Sequence, residues 1–182
     1  PPFNGQGMCT GLRDAENLSW KLAIVAAGHA TDGLLDTYEA ERRPHAEGQV
    51  VHAVDAGELM QAIAHDGDAA LDSGYGRRPF PKLEGDLFEE GHSLVGAVLP
   101  AAEVEVELPT DGWLVISTTG HDVDPVWQQL GATAMTVPNG TFPGVVDDRH
   151  TVIVRPDRHI AAVTTDFPET TRRLATAMAL TA

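Results

Sequence analysis

Cysteine, basic residues and long apolar runs are what this 182-residue sequence has little of. The single thiol, Cys9, has no second cysteine to pair with, which excludes an internal disulfide framework and fits a reducing cytoplasm. Against 27 Asp+Glu stand only 12 Lys+Arg, a formal charge of −15. Such a surface repels phosphate backbones and anionic headgroups, so neither nucleic acid nor a membrane is expected as a partner. No window approaches the roughly 18 apolar residues of a membrane span, and no basic segment leads into an apolar one as in a signal peptide. Metal-ligand motifs are missing too. His45 and His52 fall where they could share a helix face, and Asp147, Asp148 and His150 cluster, but neither set has a ligand spacing, and solvated surface is the expectation for both. What is present, 42% hydrophobic residues and 21% charged, is enough for a folded soluble protein.

Periodicity organises the chain. Met8, Leu12, Ala15, Ser19, Leu22 and Ala26 recur at three- and four-residue steps while Arg13, Asn17 and Lys21 share another face, which predicts a long helix over 7–27, stopped by Gly28. A second helical pattern starts at Leu34 and runs through Met60 and Ile63. Pro44 lies inside it and predicts a kink or a fresh start, because proline lacks a donor and clashes with the preceding turn. From 65 to 92 the sequence is rich in Gly, Pro and Asp and without period, which reads as a connection. Beyond it come a short apolar run at 113–117, a helical stretch at 121–130 and an extended one at 133–137. Two β-branched runs, 151–155 and 160–164, are joined by Pro156, Asp157, Arg158 and His159 as a hairpin, and a helix over 167–180 has Pro168 in its first turn. Strand, helix, strand, hairpin and helix make a small α/β sandwich of about ninety residues. The expected division is 1–66 for the helices, 67–92 for a linker and 93–182 for the α/β unit. Trp20, Trp113 and Trp127 read as core, and Arg42 and Arg43 beside Glu39 and Glu41 as ion pairs of structural value only.

The opening PPFNGQGM runs straight into a helix start. There the first backbone N–H groups lack partners inside the helix and a partial positive charge accumulates, while Gly5 and Gly7 let a ligand approach the backbone. Such a turn is a seat for an anion or an electron-rich carbonyl edge. By itself it identifies nothing, since many helices begin after Gly or Pro.

The longer string PPFNGQGMCTGLRDAENLSWKL, continued by LLDTYEAERRPHA, resembles the last stretch of the flavin domain in class A FAD-dependent aromatic hydroxylases. The likeness is to the branch with 3-(3-hydroxyphenyl)propionate, phenol and polyketide hydroxylases, and it covers roughly residues 1–60. TVIVRPDRHIAAV is similar to the final hairpin of the thioredoxin-like domain that many of these carry. The resemblance implies an α/β chain in which the C-terminal helices of an FAD-binding monooxygenase domain precede a thioredoxin-like sandwich without C-x-x-C. It implies that Pro2, Gly5, Gln6, Gly7, Met8 and Cys9 bind FAD, with N–H groups of Gly7, Met8 and Cys9 toward the flavin's N1/C2 side, and that Pro1, Pro2 and Phe3 wall the edge where substrate sits. Cys9 is then a small residue beside the flavin and not a nucleophile. The implied reaction is hydroxylation of a phenolic or polyketide ring by O2 through a flavin C4a-hydroperoxide, with NADH or NADPH as reductant. The family's G-x-G-x-x-G unit is absent from these residues. They are therefore expected to be the C-terminal part of such a hydroxylase, inactive and flavin-free without the N-terminal FAD and substrate portion. A competing expectation is a noncatalytic module serving stability or homodimer contacts.

Overall fold

A computed structural model describes residues 7–67, 82–120 and 124–181. Two long helices come first, α1 (Gly7–Ala26) and α2 (Gly33–Asp66), followed by β1 (Leu114–Ser117), α3 (Pro125–Gln129), β2 (Thr133–Thr136), β3 (Thr151–Val154), β4 (Ile160–Thr164) and α4 (Phe167–Ala177). The strands form one sheet in the order β2-β1-β3-β4. β1 and β2 are parallel, joined through α3, while β3 is antiparallel to both β1 and β4.

The mixed α/β expectation holds, and β1 to β4 fall within the apolar, extended and β-branched stretches read from the sequence. Every residue of β1, β3 and β4 is buried, as strands covered on both faces must be. Alternation divides them between two cores. Val115 and Ile153 pack with Trp113, Trp127, Leu174 and Met178 under the helices, whereas Leu114, Ile116, Val152 and Val154 meet Phe142, Val145 and Val146 on the other face. Register slips between Ile153 and Val154, whose partners are Ala162 and Ile160, so that Ala161 is left unopposed. Ala161 and Ala162 accordingly both join the helix-side core. The α4 start follows its sequence: Asp166 accepts from the Glu169 backbone N–H at 3.1 Å, and Pro168 occupies the first turn.

Three expectations change. α2 does not start afresh at Pro44 but runs through it as one helix, because burial of Glu41, Arg42 and His45 on both sides of the proline fixes this stretch against the body of the protein. Residues 82–92 are not a free connection: Leu83, Leu87 and Phe88 are buried, and the Glu89 N–H donates to the Ala161 carbonyl at 2.8 Å. Gly96 (φ +78°) makes this docking sterically feasible, since a Cβ there would lie 2.0 Å from the Leu83 carbonyl oxygen. The remaining part of that stretch, 68–81, lies outside the described residues, as do 121–123 ahead of α3. Finally, helices and sheet share a core: Trp20, Ile24 and Val25 of α1 pack with Trp113. The tail is stitched to the α1–α2 turn, with Thr31 N–H on the Ala179 carbonyl at 3.0 Å and Thr181 N–H on that of His29 at 2.9 Å.

Candidate functional site

Pro1, Pro2, Phe3, Gly5 and Gln6 lie outside the described residues, so the predicted site is described from Gly7 onward. Gly7, Met8 and Cys9 are the first three residues of α1, and their N–H groups have no acceptor within the helix. No acidic side chain competes for this turn. Among the described residues a Cβ on Gly7 or on Gly11 would meet nothing within 4 Å, and Met8 and Leu12 are 75% and 62% exposed. Cys9 is half-buried. Among the described residues, donors without helical partners beside open space and uncovered apolar side chains suit a flat ring with carbonyl acceptors on one edge. The residues present therefore fit a flavin ring.

The stripes of α1 are disposed in a way periodicity did not reveal. Met8, Leu12, Ala15, Ser19, Leu22 and Ala26 all face outward, while Asn17 and Lys21 are 1% and 0% exposed. The polar stripe points inward because charged partners await it there. Glu41 of α2 is the hub: its Oε1 lies 3.1 Å from Lys21 Nζ, and its Oε2 accepts from Asn17 Nδ2 and from Arg155 Nη2, each at 2.8 Å. Asp157, across the β3–β4 turn, accepts from Asn17 Nδ2 at 3.0 Å, from Arg155 Nη2 at 2.5 Å and from Arg155 Nε at 3.1 Å. The Arg155 guanidinium sits between the Trp20 and Phe88 rings, 5.1 and 4.7 Å from their centroids. Two cations face two anions, so the buried set is neutral overall, the condition under which such a cluster is tolerated.

Electrostatics follow from this enclosure. Burial, with Arg155 adding to it, lowers the Lys21 pKa to about 8 against the pull of Glu41. Burial opposes ionisation of Asp157, but Arg155 and the hydrogen bond from His159 outweigh it and hold the carboxyl below its ordinary value. Arg155 is held charged by Asp157 and Glu41 despite complete burial. His45, expected as solvated surface, is buried, and that burial together with Arg42 and Arg13 lowers its pKa to about 4. The arginine pair also divides. Arg43 bridges Glu39 and Glu47 at the surface as expected, whereas Arg42 is buried and reaches Asp14 of α1 at 2.7 Å. Asp147 closes a turn, accepting from the Arg149 and His150 backbone N–H groups and from the His150 ring. All three tryptophans are core, Trp127 donating to Thr171 Oγ1 at 2.9 Å.

Lys21, Glu41, Arg155 and Asp157 were not singled out as a set from the sequence. The available signal was the pair Asn17 and Lys21, one turn apart on a helix, together with a turn flanked by opposite charges, Arg155-Pro156-Asp157.

Known proteins bear on this arrangement. Residues 1–53 match the FAD binding domain family. Over 134 residues the chain is 38% identical to a probable NADH-specific resorcinol 4-hydroxylase of Rhodococcus jostii, covering 64% of this chain and 24% of that protein. It is 52% identical over 60 residues to a 3-(3-hydroxy-phenyl)propionate/3-hydroxycinnamic acid hydroxylase of Escherichia coli, covering 33% of this chain and 11% of that one. Among solved structures, aklavinone-11 hydroxylase, in ternary complex with FAD and aklavinone, superposes with a TM-score of 0.63 at 22% identity, over 97% of this chain and 41% of that chain. The last likeness is one of fold, and it takes in both the helices and the sheet. The chain thus spans a quarter or less of the length of these curated relatives, and among its described residues no helix is long and apolar enough to cross a membrane. Residues 1–53 thus match the FAD binding domain family, the chain is similar in sequence to parts of two hydroxylases, and with the solved structure it shares the fold.

Proposed function

We propose that this chain supplies the flavin-facing helix of an FAD-dependent monooxygenase that hydroxylates a phenolic or polyketide aromatic ring, with NADH or NADPH as reductant and O2 as co-substrate. The observation that carries the reading is the match of residues 1–53 to the FAD binding domain together with the uncovered, donor-rich first turn of α1. Bound FAD would supply the redox chemistry. Gly7, Met8 and Cys9 would offer N–H groups to the ring's carbonyl edge, and the helix dipole would favour the negative charge that reduction places there. Pro2, Gly5 and Gln6 would complete the cradle, and Pro1, Pro2 and Phe3 would wall the substrate edge. The rest of the cradle and most of the substrate pocket would come from a larger N-terminal portion, for which the exposed apolar side chains of α1 and of α2, Val50, Val51, Val54 and Met60, offer a contact surface.

The sheet unit is read as a thioredoxin-like domain without thiol chemistry. Its order β2-β1-β3-β4, with one parallel and two antiparallel pairings, supports that reading, and the sequence holds no cysteine but Cys9.

The test is a Gly7→Val substitution in a polypeptide that joins this chain to the rest of an FAD binding domain. Among the described residues nothing within 4 Å opposes the new side chain, so folding is expected to survive. Flavin absorbance at about 450 nm retained through gel filtration, and the rate of flavin reduction by NADH, are expected to fall. Unchanged flavin content and reduction rate would remove the ring from this turn.

A further inference from the structure

The two motifs that carry the family likeness, D-A-x-N-L-x-W-K-L in α1 and E-R-R-P in α2, contribute Asn17, Lys21 and Glu41 to one buried cluster, whose other half, Arg155 and Asp157, comes from the β3–β4 hairpin. We infer that Arg155 is a positioning residue for the first turn of α1, acting from the sheet unit through Glu41 and Asp157 on Asn17 and Lys21. The inference rests on the proposed flavin-facing role of that turn for its functional meaning, but its geometry stands without flavin.

Three observations support it. First, the apolar anchors of α1 to the sheet, Trp20, Ile24 and Val25, all lie in its second half. Ahead of them Asn17 bonds the hairpin, and Asp14 pairs with Arg42 of α2. The ten residues from Asn17 back to Gly7 extend roughly 15 Å, with Met8, Gly11 and Leu12 exposed. This arm is aimed from its base: a tilt of about 5° at Asn17 displaces the first turn by about 1 Å, a misplacement that can cost on the order of a hundredfold in rate. Second, the base is set by directional bonds. Arg155 Nη2 donates to both carboxylates, and Asn17 Nδ2 donates to the same two, so the guanidinium and the amide share acceptors and fix the spacing of hairpin, α2 and α1 together. Third, the fork is held in place by rings from two further places in the chain, Trp20 and Phe88. A lysine would retain the charge and lose the planar fork, so charge and geometry separate experimentally.

Cys9, the only thiol in the chain, stands in the first turn and gives a unique attachment point there. The experiment places a trifluoromethyl tag on Cys9 of the flavin-free chain and reads its 19F resonance in the unsubstituted protein, in Arg155→Lys and Arg155→Met, and in Leu174→Ala. The last opens the helix-side core without touching the charge cluster and controls for general loosening. Expected is a shifted, split or broadened line, by about a doubling of width, in both Arg155 variants, with Leu174→Ala close to the unsubstituted protein at temperatures where all remain folded. An unmoved line in Arg155→Lys and Arg155→Met would overturn the inference. So would an equal change in Leu174→Ala, which would make Arg155 one core residue among others. No flavin takes part in this readout, so loss of the flavin reading through Gly7→Val and loss of the positioning role are separate results.

Discussion

In β1, β3 and β4, side chains of both faces are buried and most are aliphatic, while the edge strand β2 is largely exposed. Along α1 Met8, Leu12 and Leu22 face outward, whereas Asn17 and Lys21 face in. The sheet buries its own surface with material from this chain: α1, α3 and α4 on one face, the segments around 94–108 and 137–146 on the other. The outward stripe of α1 has no such cover among the described residues, and its inward stripe is retained by charge pairing. A region whose hydrophobic pattern is satisfied internally is a structural unit in its own right. One whose pattern is satisfied only in reverse is a surface made to be covered, as the proposed flavin and N-terminal portion would cover it.

The most damaging change to this arrangement is predicted at its junction. Arg155→Met takes from Glu41 and Asp157 the guanidinium they share and leaves Lys21 paired with Glu41, and removing one partner from a buried set of this kind typically costs about 3–5 kcal/mol. Urea unfolding followed by tryptophan fluorescence measures it. A loss below about 1 kcal/mol would mean that the charges relax to solvent and that the helices are held by apolar packing alone.

Acid is expected to loosen the same junction more gently. The His45 pKa is lowered from 6.5 to about 4 by burial and by Arg42 and Arg13, so between those values the unfolded chain carries a proton that the folded chain refuses. Stability therefore falls as pH drops through that window, with a slope of at most about 1.4 kcal/mol per pH unit for one proton. The depressed Asp157 adds a loss of the same sign below its unfolded value of 3.8. His45→Gln should flatten the slope above pH 4, and an unchanged slope would assign it elsewhere. On the alkaline side the sign is the same. Lys21 is lowered from 10.5 to about 8, so in that interval the unfolded chain again holds the extra proton and stability rises with pH.

Within the sheet, Ile153→Val removes one methylene from a residue with no exposed surface in the helix-side core, with an expected loss of about 0.5–1.5 kcal/mol by thermal unfolding. A negligible effect would mean that this core is loosely packed.

How far these regions could be read from the sequence differs for the same physical reason. Runs such as Trp113 to Ser117 and Thr151 to Val154 carry their burial in their own composition, and the hairpin is marked by Pro156 and Asp157. The ends of β1, β3, β4 and α4 consequently fall within a few residues of where the sequence puts them. Asn17, Lys21 and Glu41 carry no such mark. Their burial depends on Arg155 and Asp157, more than a hundred residues away in the chain, and single-segment periodicity assigns them to solvent. The continuity of α2 through Pro44 and the docking of Leu83, Leu87 and Phe88 were likewise decided by distant contacts. The proposed flavin turn rests on the opposite kind of signal: its glycines and helix start are local chemistry, and the likeness of 1–60 suggests the ligand.

The smallest expected effect gives the finest test of the contrast. Leu12→Ser replaces a side chain that is 62% exposed, so in this chain alone the change in unfolding free energy should stay within about 0.5 kcal/mol. If the outward stripe is a surface made to be covered, the same substitution must become expensive once cover is present. In a polypeptide that joins this chain to the rest of an FAD binding domain, full burial of a leucine is worth roughly 1.5–3 kcal/mol, and a serine forfeits most of that while placing a hydroxyl in an apolar contact. The difference between the two measurements isolates the contact, since whatever Leu12→Ser does to helix propensity is common to both. Equal values in the two settings would show that the stripe stays in water and that α1 meets its surroundings through its first turn alone.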